Sequence, residues 1–132
     1  MVNYKQLIKI ARKAKNFAHA PYSQFRVGAA LLTSSGKIIT GCNIENSSYG
    51  LTICAERLAL FKAFSEGITK GFKAIAIISD SDKITPPCGA CRQVMIDLAS
   101  NIDVILSNNR GSSKIYKLND LLPYAFTKND LL

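Results

Sequence analysis

Phe72-Lys73-Ala74-Ile75-Ala76-Ile77-Ile78-Ser79 is the stretch that decides the fold. A strand with one wet face alternates apolar and polar residues, and after Lys73 this run does not. It reads as a strand buried on both faces, as strands of a parallel sheet are. Ile102 to Ser107 has the same character. Between them lie a polar loop, Asp80 to Pro87, and a helix from Cys88 to about Ala99, so the pieces form a strand, crossover helix and second strand. Upstream, a helix is expected from about Cys54 to Glu66, with Leu58, Ala59, Phe61, Lys62 and Ala63 continuing its pattern and Gly67 as its cap. Before it, Val27 to Thr33 and Ile38 to Ile44 read as strands joined by the turn Ser34 to Lys37, a β-hairpin.

At the front of the chain, residues 4–18 place Leu7, Ile10, Ala11, Ala14, Phe17 and Ala18 on one helical face, and Pro21 stops the helix. At the back, Gly111 marks a turn, Lys114 to Leu118 a last strand, and Asn119 or Asp120 the cap of a short final helix. The order of elements predicts a three-layer α-β-α sandwich with a mixed, roughly five-stranded sheet, built as one domain over residues 1–132. A chain of 132 residues, 48% apolar, buries about two-thirds of its unfolded surface and needs no disulfides to hold a core.

The net charge of +8 is unevenly spread. Seven basic groups (Lys5, Lys9, Arg12, Lys13, Lys15, Arg26, Lys37) precede Glu45, the first acid. A secretory leader needs an apolar run of about 7–15 residues after such a start, and none is present before Ala18-His19-Ala20. No segment has the roughly 20 apolar residues that span a bilayer. The expectation is a soluble, cytoplasmic protein. Lys5, Lys9, Arg12 and Lys13 fall together opposite the apolar face of the first helix, so they read as its solvated side, with no specific nucleic-acid partner.

Four cysteines in such a chain point to thiols or metal ligands rather than disulfides. Cys88 and Cys91 lie one turn apart at the start of a helix, and Cys54 starts another. In an α/β unit both helix starts meet one edge of the sheet, so three thiols converge, a donor set that suits zinc. A redox pair at Cys88-x-x-Cys91 is one alternative. A structural zinc closed by Cys42 or His19 is another. Glu56, two residues after Cys54, favours a third: an open coordination position with a base beside it, as metal-assisted hydrolysis requires.

Cys54-Ala55-Glu56 followed by Pro87-Cys88-Gly89-Ala90-Cys91-Arg92-Gln93 resembles the zinc signature of cytidine deaminases in their short, three-cysteine form. The wider zinc-deaminase pattern, with a glutamate that is not a ligand, is a known one. The resemblance continues through Ala20-Pro21-Tyr22-Ser23, Phe25, Val27-Gly28-Ala29-Ala30, Gly41 to Asn46, Tyr49, Leu121-Leu122-Pro123 and Ala125-Phe126. It implies the cytidine deaminase-like fold and one Zn²⁺ per subunit, held by Cys54, Cys88 and Cys91. It further implies Glu56 as proton shuttle and the Ala55 N–H on the pyrimidine O2. Arg57, three residues after Cys54, and Arg92, next to Cys91, are each placed to donate to sulfur, and the resemblance favours Arg57. Asn43 and Glu45 would hold ribose hydroxyls, Phe25 and Tyr49 would contribute to the substrate site, and Phe126 would reach the base of a neighbouring subunit in a homotetramer. The implied reaction is hydrolysis of the amidine C–N bond of cytidine or 2′-deoxycytidine, in pyrimidine salvage.

Two positions depart from the pattern: Pro86 stands where serine or threonine is usual, and Tyr124 where glycine is common. Blasticidin-S deaminases share the size and the three cysteines, but Asn43-x-Glu45 suits nucleoside hydroxyls. Deaminases of polynucleotides usually have histidine as first ligand. A basic zinc domain on RNA is the non-enzymatic alternative, and its metal would need a fourth protein ligand. Cys42 falls at a non-ligand position of the pattern. Metal analysis of Cys42→Ala is therefore expected to find zinc retained at the wild-type level, and its loss would remove the case for an open site.

Overall fold

The structure is a computed structural model and describes residues 2–131. Its sheet has five strands in the order β2-β1-β3-β4-β5: β1 (Val27–Thr33), β2 (Ile38–Cys42), β3 (Phe72–Ser79), β4 (Asp103–Ser107) and β5 (Ser113–Lys117). β3 and β4 are parallel, and the other neighbouring pairs are antiparallel. Because β1 runs against both of its neighbours, β2, β3 and β4 all point the same way. The chain therefore leaves β2 and β3 at one edge of the sheet, where α2 (Ala55–Ser65) and α3 (Gly89–Ala99) begin.

Alternation along the central strands sorts the two faces. Ala29, Leu31, Ile75, Ile77, Val104 and Leu106 face α2 and α3. Ala30, Leu32, Ala74, Ala76, Ile78 and Ile105 face Leu7 and Ala11 of α1 (Tyr4–Lys15). The result is the expected α-β-α sandwich with a mixed sheet, completed by the short α4 (Leu118–Leu121). No helix among the described residues is long and apolar enough to cross a membrane.

Two glycines allow the layers to close. A Cβ at Gly28 in β1 would lie 2.1 Å from the Ala11 carbonyl oxygen of α1, and one at Gly41 in β2 would lie 2.3 Å from that of Ala55 in α2. Both are contacts with backbone, which cannot swing aside.

Several boundaries differ from expectation for identifiable reasons. α1 opens with a capping box between Asn3 and Gln6 but ends at Lys15, not residue 18. His19 N–H donates to the Asn43 carbonyl (2.9 Å) and its carbonyl accepts from Glu45 N–H (2.8 Å), so the chain is drawn out to pair with that segment. Phe17, expected on the apolar face, is consequently 80% exposed. β2 stops at Cys42 because Ile44 bridges His19 and Ile53 instead of continuing the hairpin. β5 begins one residue early, at Ser113, and Lys117 caps α4, so Asn119 and Asp120 lie within it, behind buried Leu118. Lys15 differs from the exposed Lys5, Lys9 and Lys13: it is 4% exposed, and its ammonium lies 2.9 Å from Asp80.

Gly28→Ala is expected to destabilise the fold by about 1–3 kcal/mol through overpacking, read as a lowered midpoint of urea unfolding. Gly50→Ala, where an added Cβ meets open space, is the matched comparison and is expected to change the midpoint little.

Candidate metal centre and its cavity

Cys54 is the N-cap residue of α2, Cys88 that of α3, and Cys91 lies in the first turn of α3. Their sulfurs lie within 4.8 Å of one another, with Cys88 and Cys91 3.3 Å apart. A tetrahedral zinc with bonds of about 2.3 Å holds its sulfurs about 3.8 Å apart, so the donor set and its span fit the ion. Neither Cys42 nor His19 belongs to the ligand cluster found among the described residues. A closed structural site therefore lacks its fourth protein ligand.

Three thiolates this close repel one another strongly, and the protein divides the burden unequally. Cys54 is drawn down to about 5, first by its hydrogen bond with Cys91 and then by Arg57, whose Nη2 lies 3.2 Å from the sulfur. Cys91 is pushed up by that same bond and by burial. A divalent cation is what allows all three to ionise together. Two helix N-termini, each equivalent to roughly +0.5 charge, point at this place. Arg57 adds a full charge through Nη2, and its Nε is a buried polar atom with no hydrogen-bond partner among the described residues. Arg92 does something else. Its Nε donates to the Pro87 carbonyl (2.8 Å) and its Nη1 to the Leu121 carbonyl (2.7 Å), tying the Cys88 loop to α4 rather than reaching a sulfur.

Glu56, in the first turn of α2, is only 4% exposed. Burial pushes its carboxyl up to about 7; its own N–H pulls the other way, and the charge on Cys54 adds to the rise. A carboxyl poised there exchanges protons readily near neutral pH.

Both groups open onto a cavity of about 290 Å³. Cys54, Ala55, Glu56 and Cys88 form one end, Phe25, Val27 and Ile77 give apolar wall, and Asn43 and Glu45 stand among its polar lining. Asn43 is tied to the loop that carries Phe25: its Oδ1 accepts from Val27 N–H and its Nδ2 donates to the Phe25 carbonyl, both at 2.8 Å. Glu45 accepts from Tyr22 N–H (3.0 Å), Ser23 N–H (3.1 Å) and the Ser23 hydroxyl, and that hydroxyl above all keeps its carboxyl below the usual range.

Tyr49 and Phe126 lie outside this cavity. Tyr49 meets Tyr22 edge to face (centroids 5.7 Å apart) and lines an adjoining groove with Glu45 and Thr52. Phe126 is 57% exposed, and its carbonyl accepts from Gln93. Ser79, Thr52 and Thr85 line the cavity without having been singled out by sequence. Ser79 was within reach of the strand alternation, since it shares its face with Ile75 and Ile77; Thr85 carries no such signal.

The geometry defines a three-thiolate metal site with a buried carboxyl beside it, the layout of a metal-dependent hydrolase. The family described as "Cytidine and deoxycytidylate deaminase zinc-binding region" matches residues 1–106. A cytidine deaminase of Halalkalibacterium halodurans is 52% identical over 128 residues, 96% of each chain. One from Sporosarcina psychrophila is 47% identical, covering 98% of this chain and 96% of that one. The crystal structure of a cytidine deaminase from Burkholderia pseudomallei superposes with a TM-score of 0.93 at 48% identity, covering 95% of this chain and all of that one. The chain belongs to the cytidine and deoxycytidylate deaminase zinc-binding family.

Arg57→Ala is expected to weaken zinc retention about 10–100-fold, measured as competition with a coloured chelator. An unchanged affinity would show that Arg57 does not offset the charge of the sulfurs.

Proposed function

We propose that this chain hydrolytically deaminates free cytidine and 2′-deoxycytidine to uridine and 2′-deoxyuridine with release of ammonia, in pyrimidine salvage. One observation carries the reading: Glu56, its carboxyl raised to about 7, is buried beside three converging thiols at the end of a nucleoside-sized cavity. Cys54, Cys88 and Cys91 would hold Zn²⁺, which when bound would supply Lewis acidity to the cavity. Glu56 receives a proton from the attacking water and delivers it to N3 of the pyrimidine, which makes C4 electrophilic. The water oxygen adds to C4, and Glu56 relays the second proton to the departing amine, so the carboxyl ends each turnover as it began.

The other residues hold and orient. The Ala55 N–H, in the first turn of α2, has no partner within the helix and is assigned to the pyrimidine O2. Asn43 keeps one N–H and one lone pair beyond its contacts with the Phe25 loop. Glu45 keeps about one of its roughly four lone-pair positions, so both retain capacity for ribose hydroxyls. Phe25 forms the apolar wall for the base. The exposure of Tyr49 (74%) and Phe126 (57%) supports a homotetramer in which such aromatics meet neighbouring subunits at shared active sites. The bacterial relatives support a cytoplasmic location.

Glu56→Gln is expected to keep its zinc and lose turnover by about 10²–10⁴-fold or more, followed as cytidine consumption and ammonia release. Full activity in that variant would overturn the proton shuttle. A panel of cytidine, 2′-deoxycytidine, CMP, adenosine, blasticidin S and a single-stranded oligonucleotide tests the substrate, and turnover is expected for the first two.

A further inference from the structure

Between Pro21 and Val27 the chain forms neither helix nor strand, and side chains satisfy most of its backbone N–H groups. Gln24 stands at φ 57°, a left-handed conformation that a residue with a side chain seldom adopts unaided. Phe25 follows it, with its N–H donating to Ser23 Oγ (3.0 Å) and its carbonyl accepting from Asn43. The next residue is locked to the sheet. Arg26 N–H donates to Asp80 Oδ2 (3.0 Å), its guanidinium donates through Nε to Oδ2 (2.9 Å) and through Nη2 to Oδ1 (3.0 Å), and Asp80 N–H returns a bond to the Arg26 carbonyl (3.1 Å).

Asp80 directly follows Ser79, the last residue of β3, so its backbone is anchored in the centre of the sheet. Its carboxylate cannot turn away. The ammonium of Lys15, almost fully buried, lies 2.9 Å from Oδ1, and losing that counter-charge would strand it. Arg26 itself is 45% exposed, and an ion pair with an exposed partner adds little to stability. What a two-point fork does supply is orientation.

We propose that Asp80 is a positioning residue for the nucleobase: through Arg26 it sets Phe25 against the cavity, with Lys15 holding Asp80 from behind. This rests on the reading of the cavity as a nucleoside site. Asp80 touches no substrate in this role. It acts on binding rather than on proton transfer, because Glu56 and the cysteines hang from α2 and α3 on the other face of the sheet from Lys15.

The test is a double-mutant cycle on the zinc-loaded enzyme. Asp80→Asn is expected to raise KM for cytidine about tenfold while kcat stays within about threefold and zinc per chain is unchanged. In a Phe25→Ala background, the same substitution is expected to add no further rise in KM. Asp80→Glu should recover part of the loss. Arg26→Met, which keeps the backbone bonds to Asp80, serves if Asp80→Asn does not fold, with a smaller rise expected. Lys37→Met, which breaks the exposed pair with Glu66, should leave both constants alone. A lowered melting temperature with KM unchanged would overturn the proposal, as would a full KM effect persisting without Phe25. The readout independent of turnover is the ¹⁹F spectrum of 4-fluorophenylalanine at position 25: one narrow line in the parent, shifted or broadened by Asp80→Asn. If the parent does not deaminate cytidine, the nucleoside reading fails, and an unshifted fluorine line then overturns the clamp separately.

Discussion

Three sulfurs within 4.8 Å of one another set the terms for what surrounds them. Their mutual repulsion has to be met by positive charge, and the fold supplies it from two helix N-termini and Arg57. That requirement reaches into the sheet. The helix starts can meet only if β2 and β3 leave the sheet at the same edge, which the antiparallel strand β1 between them allows. It also requires α2 to lie close on β2, and Gly41 is the residue that permits the approach. Gly28 makes the matching allowance for α1 on the opposite face. The sandwich is thus built inward from an electrostatic demand at one edge.

How much of this was legible depends on whether a signal was local. The double burial of Ala74 to Ser79 shows in composition, because each of these residues meets a packed layer. The cysteines were legible for a different reason: one helical turn between Cys88 and Cys91 is set by the backbone, whatever the rest of the chain does. The end of α1 was not legible. Phe17 and Ala18 continue the apolar face, but pairing of His19 with the Asn43–Glu45 segment offers hydrogen bonds that periodicity cannot reveal. Lys15 resembles Lys13 in sequence, and only the arrival of Asp80 from β3 makes it a buried partner rather than a solvated one. Arg92, adjacent to a ligand, reads as a donor to sulfur until Pro87 and Leu121 present their carbonyls.

The two glutamates of the cavity show how one residue type is given two environments. Glu56 sits inside the molecule, where removal from water favours the proton and lifts its carboxyl to about 7. Glu45 sits in the open part of the same cavity, where the Ser23 hydroxyl and two backbone N–H groups hold it ionised. Environments that push two carboxyls apart in this way suit one group to moving protons and the other to accepting hydrogen bonds. The acid-free opening of the chain contributes to that separation. Tyr22, Ser23 and Phe25 belong to a segment with no carboxylate of its own, so Glu45 and Asp80, both from later strands or loops, are the anions around which that loop closes. Glu45 draws in its first half and Asp80 its second, and Phe25 is held between the two.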